Sequence, residues 1–230
     1  MVTEMELMPE RREILRYLGY RGAAPDEEML QIIDTCVSDL NEVIAPRFVY
    51  EMFPLAIEEN VGAGERNAET QLCFAGIRVS SKDLLANLKN CSGIYLMAVT
   101  LGPGPDMLIR RAGVGRMSRA VVYQAAAAAM TEVWCDEVNE RIRQEAAREG
   151  LYTRPRYSPG YGDLPLSLQK DISRILNMPK EIGVSLTETM LMVPSKSVTA
   201  LIGVSSVPGS CRRSGCADCG SSGDCSYAVL

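Results

Sequence analysis

Residues 116–148 read RMSRAVVYQAAAAAMTEVWCDEVNERIRQEAAR, and the fold is expected to be built around this stretch. Between Arg119 and Asp136 every residue except Glu132 is apolar or uncharged. The stretch predicts one long helix with little polar surface over about four turns, and such a helix is expected to be buried. Glu132 is then a carboxylate in an apolar setting, where leaving it unpaired is costly.

Shorter helices are predicted on both sides of this stretch. Apolar residues recur at helical spacing in several segments, most of which begin at Pro, Asp or Ser. These helices are expected over residues 9–20, from Pro25 onward, over KDLLANLKN behind a Ser80 or Ser81 cap, over residues 106–111, and over SLQKDISRIL behind a Ser167 cap.

Several short runs predict strands. RFVYEMF and LCFAGIRV are strand-like, and IYLMAVTL is apolar throughout, as in a central strand. The late segment IGVSLTETMLMVPSKSVTALIGVS predicts two strands joined around Pro194-Ser195-Lys196. We therefore predict an α+β fold, in which a mainly antiparallel sheet packs against several helices, one of them long and buried. This domain is expected to span residues 1–208, followed by a Cys-rich C-terminal tail at residues 209–230.

Composition excludes several function classes. The chain has 230 residues, a net charge of -5 and no histidine. Without histidine there is no Ser–His or Cys–His nucleophilic pair, no His general base and no His-ligated metal. Positive and negative charges are mixed along the chain, so neither nucleic acid nor a membrane is predicted as a partner. The N-terminus carries acids without an apolar signal region, and no 18-residue uncharged apolar stretch occurs, which predicts a cytoplasmic protein.

The eight cysteines fall into two groups. Four are scattered through apolar or amphipathic segments and are predicted to be small buried hydrophobes: Cys36, Cys73, Cys91 and Cys135. The other four lie in the last twenty residues: Cys211, Cys216, Cys219 and Cys225. Four thiolates so close together are enough to surround one zinc ion or an iron–sulfur cluster. A disordered, redox-sensitive tail is the alternative, and a bound metal could equally serve electron relay, structure or partner docking.

The loop at residues 154–163, RPRYSPGYGD, is rich in rigid turns and hydrogen-bonding groups. Prolines hold its backbone extended, and glycines permit close approach of a ligand. Arg156 can form a forked contact with a carboxylate, and Tyr161 offers a flat ring. The loop is therefore either a cradle for a small amphiphilic ligand or a surface connection between two helices.

Glu132 also has two interpretations. As a structural residue it would be a buried acid neutralised by a nearby arginine. As a functional residue it would project from a rigid helix into a pocket and accept hydrogen bonds from an amine or hydroxyl of a ligand.

Three segments together resemble a known family. They are TEVWCDEVNERIR at residues 131–143, RYSPGY at residues 156–161, and the late strand segment IGVSLTETMLMVPSKSVTALIGVS. In this order they resemble the activation domain of vitamin B12-dependent methionine synthase, particularly its short, free-standing form. The likeness is clearest over residues 116–206, weaker over residues 9–115 and absent from the tail, and the RxxPGY loop is its most specific part.

The resemblance implies a function in methionine biosynthesis. The family binds S-adenosylmethionine and presents its methyl group to a cobalamin that has been oxidised to the Co(II) state, while a flavodoxin-like or other low-potential donor supplies an electron. The chain would thus be a methyltransferase component that is not catalytically complete alone. A corrinoid-binding methionine synthase subunit, together with the substrate modules, would act in trans, since 230 residues leave no room for them.

The resemblance also implies roles for individual residues. Arg156 would hold the carboxylate of S-adenosylmethionine, and Glu132 would face the same ligand. Tyr161 would line the adenosine or sulfonium region, where a π face favours a cation. Ser158 would contribute its backbone to adenosine contacts. Pro159 and Gly160 would shape the loop.

The sequence departs from the fused form of the family in three places. The fused form continues its loop with an ACPxHTEK-like segment, whereas residues 162–170 read GDLPLSLQK and lack both the cysteine and the histidine. Leu201 and Ile202 stand where the fused form has an aromatic residue. No counterpart of the fused form's N-terminal acidic ligand contact is evident. Two alternative functions therefore stay open: an accessory protein for another corrinoid methyltransferase, and a non-catalytic assembly module.

Overall fold

The computed structural model describes residues 6–20, 24–60 and 69–208. Their helices are α1 (Arg11–Tyr17), α2 (Glu27–Asn41), α3 (Lys82–Asn87), α4 (Gly104–Gly113), α5 (Met117–Arg148), α6 (Leu168–Ile175) and α7 (Met178–Glu181). Their strands are β1 (Arg47–Pro54), β2 (Ala56–Asn60), β3 (Glu69–Phe74), β4 (Ile77–Val79), β5 (Gly93–Thr100), β6 (Tyr152–Thr153), β7 (Ser185–Leu186), β8 (Met192–Val193) and β9 (Ser197–Ser205).

The main sheet has four antiparallel strands in the order β1-β5-β9-β6. Every residue of β5 is buried, as the uniformly apolar run predicts. Tyr95, Met97 and Val99 point to one face of the sheet, whereas Ile94, Leu96 and Ala98 point to the other. The alternation of side chains along a strand thus lets β5 supply two hydrophobic cores at once.

One core lies between the main sheet and the layer of α1, α2, α4 and α5. The inward side of α5 carries Ala126, Ala127, Met130, Trp134 and Val138, all fully or almost fully buried. Their spacing of one, three or four residues places them on one side of the helix, and the alanines let it pack close to the sheet. The indole N–H of Trp134 donates to the carbonyl oxygen of Arg47 at 3.0 Å, which satisfies the polar atom of this buried ring.

The second core lies on the opposite face of the sheet. It is covered by the small antiparallel sheet β2-β3-β4 and by helices α3, α6 and α7. Leu72, Leu84, Leu88, Ile172 and Met178 are fully buried in it. The predicted α+β fold with a mainly antiparallel sheet and one long helix is therefore confirmed. Within the residues described, no helix is both long and apolar enough to cross a membrane.

Two predicted helix caps have different outcomes. The hydroxyl of Ser81 accepts a hydrogen bond from the Leu84 backbone N–H at 3.0 Å, so the predicted cap of α3 is confirmed. Ser167 precedes α6, but its side chain makes no capping bond because its backbone is already helical, with φ -57° and ψ -22°. The predicted Ser167 cap is therefore wrong.

Strands flank Pro194-Ser195-Lys196 as predicted, but they do not pair with one another, and the first is short. Before Pro194 there are only β7 and β8, two residues each, which pair with one another. After it, β9 runs for nine residues and pairs with β5 instead of the preceding segment. The physical reason is burial, because β9 is buried along nearly all of its length and pairs with the fully buried β5, whereas β7 and β8 are largely exposed.

Burial of Glu132 is also corrected. The inward side of α5 is buried as predicted, but the Glu132 side chain is 52% exposed. It lies two residues from Met130 and two from Trp134, about half a turn from the buried side. The uncharged residues next to it in sequence face the sheet, whereas Glu132 lies on another side of the helix. Their apolar character therefore does not indicate the direction in which Glu132 points.

The two glycines at the ends of α4 give a matched test of this packing. A Cβ added to Gly104 would overlap the carbonyl group of Val43, which follows α2, whereas a Cβ at Gly113 meets nothing within 4 Å. We expect Gly104→Ala to destabilise the protein by about 3 kcal/mol or more, because backbone must move. We expect Gly113→Ala to be neutral or stabilising by up to about 1 kcal/mol. Chemical denaturation of both variants checks this, and equal effects would contradict the close contact between α4 and the end of α2.

Candidate functional site

The Pro/Gly-rich loop lies along the free edge of β9. After β6 ends, the Tyr157 backbone N–H donates to the Leu201 carbonyl at 2.9 Å, and the Leu201 N–H donates back to the Tyr157 carbonyl at 2.8 Å. Pro155 and Pro159 flank this bridge and have no backbone N–H to donate. The loop therefore follows the strand without extending the sheet, and it leaves the edge of β9 before residue 201 uncovered.

Asp163 ties the far end of the loop to α3. Its carboxylate accepts hydrogen bonds from the Ser81 hydroxyl and from the backbone N–H groups of Lys82 (2.7 Å) and Asp83 (3.3 Å). These bonds, first of all the one from Ser81, lower the pKa of Asp163. The preceding Gly162 has a positive φ of 52°, and a Cβ there would overlap the Asp83 carboxylate and the Tyr157 hydroxyl, so a side chain at this turn would be strained and would displace both groups.

Arg156 joins the loop to α5. Its Nη1 lies 2.6 Å from the Asp136 Oδ1, and its Nη2 lies 3.4 Å from the Glu132 Oε2. Glu132 and Asp136 are four residues apart and therefore share one face of the helix. Burial by itself lowers the pKa of Arg156, but the hydrogen bond to Asp136 and the charges around it leave that pKa raised. One cation between two carboxylates gives this cluster a net charge of -1.

The first cavity, which we call the loop cavity, opens beside this cluster and has a volume of about 450 Å³. It is bounded by the loop, β9, α5 and α6, and its size is that of a small-molecule site. Its lining residues are Glu132, Arg156, Tyr157, Ser158, Pro159, Tyr161, Gln169, Met192, Ser197, Val198 and Thr199.

A second cavity of about 690 Å³, the helix cavity, lies between α1 and α5. It shares Glu132 and Tyr161 with the loop cavity. On its α1 side, two acids and one arginine give a net charge of -1. The cavity is lined by Met8, Pro9, Glu10, Glu13, Arg16, Tyr17, Ala129, Glu132, Val133, Asp136 and Tyr161. The two cavities thus adjoin at Glu132 and Tyr161.

The contribution of α1 was missed by sequence reasoning. Glu10 and Glu13 line the helix cavity together with Glu132, and Glu13 pairs with Arg16 at 2.8 Å. The resemblance had left the N-terminal acidic contact without a counterpart. Burial raises the pKa of Tyr17, and the charge of Glu132 raises it further, which shows that this ring lies within electrostatic reach of α5. The only available signal was the polar side of a short amphipathic helix, which does not indicate what that side faces.

Five of the six predicted ligand-binding residues line the loop cavity: Glu132, Arg156, Ser158, Pro159 and Tyr161. The sixth, Gly160, does not line it. Gly160 has a φ of 90°, and its N–H donates to the Leu164 carbonyl at 2.9 Å, so it sets the turn of the loop. Tyr157, Gln169 and Thr199 also line the cavity but were not singled out by their sequence context. The Tyr161 ring is 70% exposed and stands between the two cavities.

Of the eight cysteines, four lie in the part of the chain that the structure describes. Cys36 and Cys135 are buried as predicted, whereas Cys73 and Cys91 are only partly buried and correct that prediction. Cys73 alternates with the core residues Leu72 and Phe74 and lies near exposed Glu58. Cys91 follows α3 and packs against the second core. Within the described ranges, no group of three or more Cys, Asp or Glu residues is placed to hold a metal. The predicted metal ligands Cys211, Cys216, Cys219 and Cys225 lie outside the described residues.

Comparison with known proteins agrees with this arrangement. Residues 106–208 match the family model described as vitamin B12 dependent methionine synthase, activation domain, which confirms the resemblance over the segment that holds α5, the loop and β9. Among solved structures, the chain is similar to "Crystal Structure of the MetH Reactivation Domain bound to AdoHcy", with 19% identity and a TM-score of 0.58. The similarity covers 84% of this chain and 74% of that one, and at this identity it shows a shared fold. No curated protein matches the chain.

The Asp163 anchor predicts a pH-dependent contribution to stability. The pKa of Asp163 in the folded state lies below the ordinary value of 3.8. Its ionised carboxylate therefore contributes its full stabilisation at pH values above 3.8, and this contribution is lost as the pH falls through the folded-state pKa. We expect Asp163→Asn to lower the melting temperature at pH 7, and the difference from wild type to shrink as the pH falls through the folded-state pKa. Melting curves between pH 2 and pH 7 measure this. Glu137→Gln, at an exposed position of α5, is the control, and an effect of Asp163→Asn that is constant with pH would contradict the anchor.

Proposed function

We propose that this chain, which matches the activation domain of vitamin B12-dependent methionine synthase over residues 106–208, binds S-adenosylmethionine during reductive reactivation of that enzyme. It would present the methyl group of this ligand to cob(II)alamin held by a separate corrinoid subunit. The observation that carries the proposal is the ion-pair cluster of Arg156, Glu132 and Asp136, of which Arg156 and Glu132 line a cavity of ligand size. The S-adenosylhomocysteine complex of the structurally similar reactivation domain supports it.

The charge of the cluster suits this ligand. S-adenosylmethionine carries a sulfonium, an ammonium and a carboxylate, and therefore a net charge of +1, opposite to the net -1 of the cluster. Arg156 is held firmly by Asp136 at 2.6 Å but only loosely by Glu132 at 3.4 Å. The guanidinium edge facing Glu132 can therefore turn to the ligand carboxylate. This frees Glu132 to accept from the ammonium.

Tyr161 completes the mouth of the site. Its exposed ring stands at the junction of the two cavities, next to Glu132. A sulfonium placed over this ring would be attracted by the π face and by the carboxylate of Glu132 together. The bonds between Asp163 and α3 hold the loop, and with it Tyr161, in one position before the ligand arrives.

The work of this chain is positioning. S-adenosylmethionine supplies an activated methyl group and the corrinoid of a partner supplies the nucleophilic cobalt, so neither general acid nor general base is needed. The absence of histidine is compatible with such a function. A flavodoxin-like or other low-potential donor would provide the electron. The homocysteine and folate modules would act in trans.

The cysteine tail is a separate part of the proposal. Cys211, Cys216, Cys219 and Cys225 would bind zinc or an iron–sulfur cluster. This site stays a prediction of the sequence, and the binding of S-adenosylmethionine does not depend on it.

Calorimetry tests the ligand site. We expect wild type to bind S-adenosylmethionine saturably, and Arg156→Ala to weaken binding by about 2 kcal/mol, because the ligand carboxylate loses a charged partner. Arg174→Ala is the matched control, since this arginine also pairs with an acid but lies on the exposed side of α6. No saturable binding, or equal loss in both variants, would overturn the proposal.

Glu132→Gln adds a charge-specific measurement to the same titrations. Removing one carboxylate brings the cluster from -1 to neutral. S-adenosylhomocysteine lacks the sulfonium charge, so the variant should lose more affinity for S-adenosylmethionine than for S-adenosylhomocysteine. An equal loss for the two ligands would place the sulfonium away from Glu132.

The reactivation step itself can be followed by absorbance. A corrinoid-binding methionine synthase subunit in the Co(II) state, given a low-potential reductant and S-adenosylmethionine, should form methylcobalamin only when this chain is added. Arg156→Ala should slow the reaction at low ligand concentration. Methylcobalamin formation with another corrinoid methyltransferase, but not with methionine synthase, would favour the accessory function named above.

A further inference from the structure

Two buried polar atoms in the loop cavity have no hydrogen-bond partner among the described residues. They are the Oε1 atom of Gln169, on α6, and the Oγ1 atom of Thr199, on β9. Gln169 is 7% exposed and Thr199 is 1% exposed. Leaving such atoms unpaired is costly, so each calls for an explanation, and a bound group in the cavity that both atoms line is one.

The backbone of Thr199 offers a further donor and acceptor on the same strand. Along an antiparallel strand, the N–H and C=O groups of alternate residues point to the same side. Leu201 uses its outward pair to bond Tyr157, and the outward carbonyl of Gly203 accepts from the Arg154 N–H at 2.7 Å. The same alternation turns the N–H and C=O of Thr199 outward, toward the edge of β9 that the loop leaves uncovered.

The charged and the neutral residues that line the cavity differ in exposure. The charged lining residues Arg156 and Glu132 are partly exposed, with 24% and 52% of their side chains accessible. Gln169 and Thr199 are neutral and buried, and the lining also includes Tyr157, Met192 and Val198. A wall with neutral polar groups among apolar ones favours the neutral, flat part of a ligand, because a charged group would lose its hydration there.

We propose that Gln169 and Thr199 are the specificity-determining residues that recognise the adenine base of the ligand. This inference rests on the proposed binding of S-adenosylmethionine. The 6-amino group of adenine would donate to the Gln169 Oε1. A ring nitrogen would accept a hydrogen bond from the Thr199 hydroxyl or backbone N–H. Arg156 and Glu132 would then bind the charged amino-acid end of the ligand. The neutral base and the charged end would thus contact different lining residues.

The assignment fits the order of the elements around the cavity. Gln169 follows the loop by a few residues, and Leu168, beside it, is buried in the second core and holds the start of α6 in place. Thr199 lies opposite Ala98 of the central strand. Both side chains therefore belong to elements that are fixed by packing. Discrimination between similar bases requires side chains whose positions are fixed in this way.

Inosine analogues test the assignment. In S-inosylhomocysteine the 6-amino donor is replaced by a carbonyl acceptor, and the neighbouring N1 carries a proton. We expect wild type to bind S-adenosylhomocysteine at least tenfold more tightly than S-inosylhomocysteine, as measured by calorimetry. A site that hydrogen-bonds one ligand rejects the analogue that leaves its polar groups unpaired.

Two variants identify the groups responsible. Gln169→Leu should weaken binding of S-adenosylhomocysteine about tenfold and bring the ratio of the two affinities close to one. Thr199→Val, of nearly equal size, should reduce the ratio independently. Ser173→Ala, also on α6, is the control and should leave both affinities unchanged. Neither test variant should lose thermal stability, because each removes a buried atom that has no hydrogen-bond partner. If Gln169→Leu does not fold, Thr199→Val by itself tests the assignment.

The outcomes separate this inference from the function on which it rests. Absence of S-adenosylhomocysteine binding by wild type overturns both. Binding that depends on Arg156, with an affinity ratio the same in wild type, Gln169→Leu and Thr199→Val, overturns the adenine assignment alone. A preference of wild type for the inosine analogue also overturns it, since the Gln169 carboxamide would then present its N–H₂ group to the base.

Discussion

The pairing of β5 with β9 is the interaction on which the rest of the structure depends. It runs antiparallel from Gly93 opposite Val204 to Thr100 opposite Ser197, and nearly every residue of both strands is buried. Buried strands must satisfy all their backbone groups, and β5 does so with β1 on one side and β9 on the other. Their side chains pack into a core on each face of the sheet, and the helices and the small sheet cover these two cores.

The same pairing decides where the loop cavity forms. Because β5 occupies one side of β9, only the other side is free, and β6 and the loop use just part of it. The loop cavity forms where the loop leaves that edge, between α5 and α6. Arg156 then reaches from the loop to Asp136 and Glu132 on α5, so one ion-pair cluster connects the helical layer with the edge of the sheet. Since Arg156 is shielded from solvent more than its partners, this cluster is screened less than an exposed ion pair.

Much of the fold and part of the site could be predicted from local sequence. The apolar run in β5, the small residues of α5 and the capping serine at Ser81 each report on their own surroundings, and the structure confirms them. The predicted Ser167 cap was wrong because the backbone of Ser167 is already helical. The strand before Pro194 is short and does not pair with β9, because β9 pairs with β5, a strand far away in the sequence. The RxxPGY loop was found by its residues, and five of the six predicted positions line one cavity.

The sequence by itself determined the fold class, the loop and the residue types able to hold a charged ligand without histidine. Only the tertiary structure decided that Glu132 points outward, that Glu10 and Glu13 line a cavity with it, and that Gln169 and Thr199 line one cavity. The reason is physical. Helical and strand periodicity show which side of an element is apolar, but they do not show which other element its polar side faces. That relation is set by packing between residues far apart in the chain, here by the way β9 pairs with β5 and leaves one edge open.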